Sequence, residues 1–238
     1  MKETLGDALA LIEANIAGQK TDGVIRESVD QTIEIQENGT ITKTVKLTRT
    51  HEGKRGELFR GVRNVSYLRV YVPKGSTLLS ASGFNAPPAS LFKKIDETTM
   101  SDPESLDVES GVWQEGSRTV FGGWMQLDPG ATQTITLTYR LPQTTTEIAS
   151  ALDAPSQRSA GDPAARERRG AYLLLLTSQS GKTSRTLHTT IRYPRTWEIS
   201  WARPEHLTRV GSSVQGTENW DRDRAIALLF TAHVEKAS

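Results

Sequence analysis

The sequence predicts a mainly β protein: an antiparallel β-sandwich, Ig-like or more elaborated, preceded by a short N-terminal α-helix. Three observations carry this. The first is Asn38–Gly39, set between two alternating segments. Ile25, Val29, Ile33 and Ile35 share one parity with Glu27 and Gln31, and Arg26, Ser28, Asp30, Thr32 and Glu34 take the other. Beyond the turn, Ile41, Val45 and Leu47 alternate with Thr40, Thr42, Thr44, Lys46 and Thr48. A period of two puts one side of each strand on a core and the other in water. Asn and Gly accept the positive φ of a tight hairpin, so the reversal falls at Glu37–Gly39. The second observation is Asp128–Pro129–Gly130, a turn between Arg118–Leu127 and the alternating Thr132–Leu141. The third is the spacing of the remaining strand signals, about eleven in all, which suits a sandwich.

The elements follow in order. Leu5, Ala8, Leu9, Ile12 and Ile16 recur at three- and four-residue steps, so residues 2–16 read as an amphipathic helix with Gly18 as its C-terminal cap. Residues 1–18 form this helix and 19–238 the sandwich. After the hairpin, His51–Arg63 is a basic, glycine-containing connection. Tyr67–Val72 is a strand ended by Pro73, and Thr77–Ser82 is another after a turn at Pro73–Gly75. Leu91–Ile95 and Leu106–Trp113 carry fainter signals around an acidic stretch. Residues 142–170 are a polar crossover or insertion, with a short helix at Ile148–Leu152 or Ala164–Arg169. Strands then fit Ala171–Ser178, Ser184–Tyr193, Trp197–Trp201 and Ala225–Val234. An apolar stripe on the first helix has to be covered, in cis or by a partner, so the chain reads as a monomer or weak dimer.

Composition narrows the function. Lys plus Arg (29) nearly balances Asp plus Glu (28), which gives no general pull toward nucleic acid. The chain has no cysteine, so disulfides and thiol chemistry are excluded. No run reaches the ~18 apolar residues of a membrane helix, so no direct membrane span is expected in this fragment.

Motifs for catalysis are sparse. His51, His188, His206 and His233 lie in no nucleophile elbow, and no His-Glu-x-x-His or calcium loop is present. Gly181–Lys182–Thr183 lacks the upstream glycine of a phosphate loop and reads as a hairpin turn. No catalytic, cofactor or metal residue is assigned. The acidic stretch Asp96–Glu109 offers carboxylates for an ion or for polymer hydrolysis, at a generic spacing. The aromatic candidates are Trp197 and Trp201, on one parity of a short strand, with Trp220 as an edge contact. Flat indoles stack on sugars or anchor protein interfaces, and equally fill sandwich cores. These features read as a non-enzymatic structural or interaction module, with a carbohydrate-binding module as the alternative and a carboxylate enzyme as a weaker one.

Several blocks resemble the C-terminal β-rich region of the bacterial membrane-associated family of unknown function DUF4012. They are Ala14–Asp22, Val24–Arg26, Tyr67–Ser76, Phe121–Gly122, Leu127–Gly130 and Thr138–Pro142. The most specific is Tyr67–Leu68–Arg69–Val70–Tyr71–Val72–Pro73 with Gly75, read as a structural motif around Tyr67, Arg69, Tyr71, Pro73 and Gly75. In a turn where the family carries Gln-Lys-Gln-Pro-Gly, only Gln179 and Gly181 match. The resemblance implies an extracellular or cell-surface domain of a larger membrane-anchored envelope protein, with the anchor outside this fragment. Its implied partners are the upstream domain, another envelope protein or cell-wall glycan.

Overall fold

A computed structural model of the chain describes residues 4–88, 111–153, 168–182, 185–205 and 207–232. Its first element corrects the reading of the N-terminus. Asp7–Asn15 is a strand, β1, not a helix. It lies between two neighbours, antiparallel to Asn64–Pro73 (β4) and parallel to Arg168–Thr177 (β9). Ala8, Leu9, Ala10 and Leu11, on both parities, are all buried. A strand covered on both faces reads as a continuous apolar run, and such a run can satisfy helical spacing by accident.

The predicted hairpin is Ile25–Ile35 (β2) and Ile41–His51 (β3), paired in full register from Ile25–His51 to Ile35–Ile41. Gly39 takes φ 81° at the turn, and its N–H donates to Gln36 C=O at 2.8 Å. Next come Thr77–Ser82 (β5), Val112–Glu115 (β6), Arg118–Leu127 (β7) and Thr132–Arg140 (β8). The helix expected in the crossover is Thr145–Leu152 (α1), opened by a capping box between Thr144 and Glu147. It buries Ile148 and Ala149 and packs against β9. Ala164 and its neighbours to 167 lie outside the described residues, as does Asp96–Glu109. The chain closes with Arg185–Arg192 (β10), Trp197–Arg203 (β11), Thr208–Val210 (β12), Ser213–Asn219 (β13) and Arg224–Ala232 (β14). The two short strands β12 and β13 went unread in the sequence, because polar residues and glycines break their alternation.

The described strands form two seven-stranded sheets, β11-β14-β9-β1-β4-β7-β6 and β12-β13-β10-β2-β3-β8-β5, in a sandwich-like arrangement. All pairs are antiparallel except β1 with β9 and β2 with β10. Those two parallel pairs are a seam: β1–β8 build one side of both sheets, and β9–β14 build the other. Leu9, Val70 and Phe121 from the first sheet share one core with Val29, Val45 and Ile135 from the second. Leu68, Val72, Leu137 and Tyr139 also point inward. Outward, Thr44, Thr48 and Thr50 meet Thr138, Thr134 and Thr132 across β3 and β8, hydroxyl to hydroxyl at 3.0–3.3 Å.

This division yields a simple test. Leu68→Ala, at a side chain 1% exposed, should cost about 2–5 kcal/mol in urea unfolding. Leu58→Ala, at one 77% exposed, should stay within about 0.5 kcal/mol of wild type. Equal losses would contradict the assignment of the core.

Candidate functional site

Among the described residues, a cluster of five titratable side chains lies inside the sandwich, at the seam. Glu13 on β1, Glu27 on β2, Arg49 on β3 and Arg185 on β10 are all buried, and Lys182 reaches them from the β9–β10 turn. Register accounts for the meeting: Glu27 is directly opposite both Arg49 and Arg185 in its sheet. Glu27 Oε1 accepts from Arg49 Nε at 3.1 Å and Lys182 Nζ at 2.8 Å, and Oε2 accepts from Arg185 Nη2 at 2.8 Å. Across the gap between the sheets, Glu13 Oε1 accepts from Arg185 Nη2 at 2.7 Å. Its Oε2 lies 3.0 Å from Lys182 Nζ and 3.1 Å from Arg49 Nη2.

The two carboxyl groups part in their titration. Burial, and then the charge of Glu27, push Glu13 above the usual carboxylate range despite three nearby cations. Burial alone would raise Glu27 too, but Arg185, a hydrogen bond from Glu13, Lys182 and Arg49 hold it well below that range. Of the two, Glu13 is the group whose surroundings favour the protonated form, and Glu27 the one held as a carboxylate. A hollow of about 310 Å³ opens to this cluster beside Asp22, Gln179, Lys182 and Arg185. Every oxygen of both carboxyl groups is already engaged by a cation, which suits a clamp between strands better than proton transfer to a substrate.

Gln179 completes the clamp. Its side-chain amide accepts from Glu13 N–H and donates to Glu13 C=O, both at 2.9 Å, and so extends the β1–β9 pairing beyond the last strand residue. Gly181 at φ 86° shapes the turn that carries Lys182, but the turn joins β9 and β10 of different sheets, so it is a crossing between the sheets and not the hairpin read from the sequence. A second buried group sits at the other end of β1. Lys43 Nζ donates to Asp7 Oδ2 at 2.8 Å, and the Tyr172 hydroxyl donates to the same oxygen at 2.6 Å. Burial lowers the Lys43 pKa, with Asp7 opposing that shift, and drives Tyr172 well above its ordinary value.

The sequence-predicted tryptophans do not share an exposed face. Trp197 is buried against Phe230, with ring centroids 5.6 Å apart. Trp220 is 1% exposed, with the Arg185 guanidinium 5.3 Å from its ring. Trp201 is 45% exposed. A register shift between Ile199 and Trp201 explains the split, since one inserted residue turns the following side chains to the opposite face. Arg69 lies over the Tyr71 ring at 5.9 Å, and the Tyr71 hydroxyl donates to Glu115 at 2.9 Å. Burial, then that bond, pushes the Tyr71 pKa up to about 12. Tyr67 meets Trp124 edge-on at 5.1 Å, Pro73 closes β4, and Gly75 (φ 87°) donates its N–H to Thr119 Oγ1 at 3.0 Å.

Of the histidines, His51 is buried in its own loop and His188 meets Thr217 Oγ1 at 2.9 Å on the outer face. His206 and His233 lie outside the described residues. Among the described residues no three His, Asp or Glu side chains are grouped to hold a metal ion. No described helix is long and apolar enough to cross a membrane.

The fold and its interior define a two-sheet β domain with an ionic seam. No protein-family model and no curated protein matches the chain. Among solved structures it is similar to a Legionella pneumophila protein named for nutrient binding, at 10% identity and a TM-score of 0.43, over 95% of this chain and 72% of that one. It is also similar to an M1 zinc metallopeptidase from Deinococcus radiodurans, at 13% identity and a TM-score of 0.29. That match covers 87% of this chain and 42% of the peptidase, so the chain spans less than half of that protein. Likenesses at these values assign no family and no activity.

Proposed function

We propose that this chain is a non-catalytic structural or interaction module of a larger membrane-anchored bacterial envelope protein, displayed outside the cell. The class is supported by the ionic seam: the carboxyl and cationic groups best placed for chemistry are spent on one another, joining β1, β2, β3 and β10. The envelope location rests on the resemblance to DUF4012 alone. Its partner is the upstream domain or another envelope protein. The test is affinity capture from envelope extracts on the whole immobilised chain, since β1 is a central strand and cannot be trimmed. Retention of a defined envelope protein supports the module. No retention, together with hydrolysis of a wall polymer, overturns it.

A glycan-binding role is the second reading, favoured by the exposure of Trp201, with the Arg203 guanidinium 6.0 Å from its ring. Trp201→Ala should then cut retention on wall glycan about tenfold or more while leaving the unfolding midpoint in place. Unchanged retention would remove Trp201 from the reading.

A further inference from the structure

The basic connection after β3 is built as a rigid loop with an apolar tip, and we infer that it docks on an anionic lipid surface. Leu58 and Phe59, at the tip, are 77% and 49% exposed. The loop beneath them is locked. Glu57 N–H donates to Lys54 C=O at 3.0 Å, Gly61 N–H to Glu57 C=O at 2.8 Å, and Lys20 N–H to Phe59 C=O at 3.1 Å. Below these, Gly53 N–H donates to His51 Nδ1, leaving Nε2–H to bond Val62 C=O at 3.0 Å. The packing admits no side chain at Gly61, where a Cβ would lie 2.2 Å from Lys54 C=O.

Phe59 itself is held at φ 64°, the left-handed region that favours glycine and that a bulky side chain seldom occupies. Backbone strain of this kind persists where function requires the side chain. Half the surface of Phe59 faces water, and Lys20 Nζ lies 5.5 Å from its ring. A large apolar side chain kept at a strained position and presented to solvent is suited to entering another apolar phase. Ile16, 59% exposed, stands in the adjoining loop, which is held to β4 by its N–H to Val65 C=O.

Charge selects the lipid. Residues 52–63 contain four cations and two carboxylates. Both carboxylates are engaged locally: Glu52 pairs with Arg26 at 2.7 Å, and Glu57 accepts from Lys54 N–H at 3.3 Å. Arg63 is tied to Asp128 at 2.7 Å. Lys54, Arg55 and Arg60, on either side of the tip, are exposed. An apolar tip collared by cations matches a negatively charged headgroup layer over an acyl phase. This docking stands on loop geometry and is independent of the module reading above.

The test is sedimentation of the whole chain with vesicles of phosphatidylcholine alone, or with roughly a third phosphatidylglycerol, at ~0.1 M salt. Wild type should sediment with the anionic vesicles and far less with the neutral ones. Phe59→Gly should be at least as stable to heat as wild type, because glycine relieves the backbone, yet should partition about tenfold or more weakly. Leu58→Ser gives an independent apolar loss at a side chain outside the core. Lys54→Gln/Arg55→Gln/Arg60→Gln should lose about fivefold per charge on anionic vesicles and nothing on neutral ones. Absent wild-type binding to anionic vesicles, or binding that F59G and L58S leave intact, overturns the proposal. So does lipid-free self-association, seen by light scattering and abolished by those variants, which would make the tip a contact between copies of this chain.

Discussion

Replacing Glu27 by Gln should lower the unfolding free energy by about 3–5 kcal/mol near neutral pH, because it leaves Arg49 and Arg185 buried without their shared counter-charge. Glu13→Gln should cost less, since burial and the charge of Glu27 oppose its ionised form while the neighbours of Glu27 favour that of Glu27. The pH profiles separate the two residues further. Glu27 is depressed in the folded state, so its contribution is present above the ordinary value of 4.5 and is lost as pH falls below it. Glu13 is raised, so its contribution is present below 4.5 and is lost as pH climbs through the raised folded value. Wild-type stability should therefore fall on the acid side through Glu27 and decline above 4.5 through Glu13. Glu13→Gln should flatten the second arm alone. Urea titrations at a series of pH values check this. Equal losses for E13Q and E27Q would mean that both carboxyl groups are ionised in the fold.

Much of this architecture is legible in the residues, and the part that is not has physical causes. The β2–β3 hairpin and strand β8 were readable because each has one wetter face, which prints alternation into the sequence. β1 was misread as a helix because burial on both faces erases that alternation. The Trp197–Trp201 pairing failed for a different reason: parity counting assumes an unbroken ladder, and the bulge beyond Ile199 leaves no mark in a single sequence. The ionic seam did leave a mark. Glu27 and Gln31 occupy the inward parity of β2, and Lys43 and Arg49 the inward parity of β3. Charges of opposite sign on the dry side of a hairpin have to meet each other or something equally polar. What the sequence alone withheld was the third and fourth partners, Glu13 and Arg185, which arrive through pairings 158 and 172 residues apart.

Lys43 and Asp7 offer the sharpest trial of how such interior pairs act. Lys43→Met alone should cost about 3–5 kcal/mol, because Asp7 is left buried with Tyr172 as its donor. Asp7→Asn alone should cost a similar amount, now with the ammonium stranded. The double variant D7N/K43M should cost less than the two single losses added, since the Asn oxygen still accepts from the Tyr172 hydroxyl while the methionine fills the lysine stem's volume with apolar atoms. A coupling energy of about 2–3 kcal/mol is expected from the cycle. The direction of the Lys43 shift adds a second check. Its folded pKa lies below 10.5, so the native state binds fewer protons than the unfolded chain between those values, and stability rises with pH across that window. The deficit of D7N should accordingly shrink as pH is raised toward 10.5, whereas that of K43M should not. If the two single losses simply add in the double variant, Asp7 and Lys43 act independently, and the pair does not hold β1 to β3 as a unit.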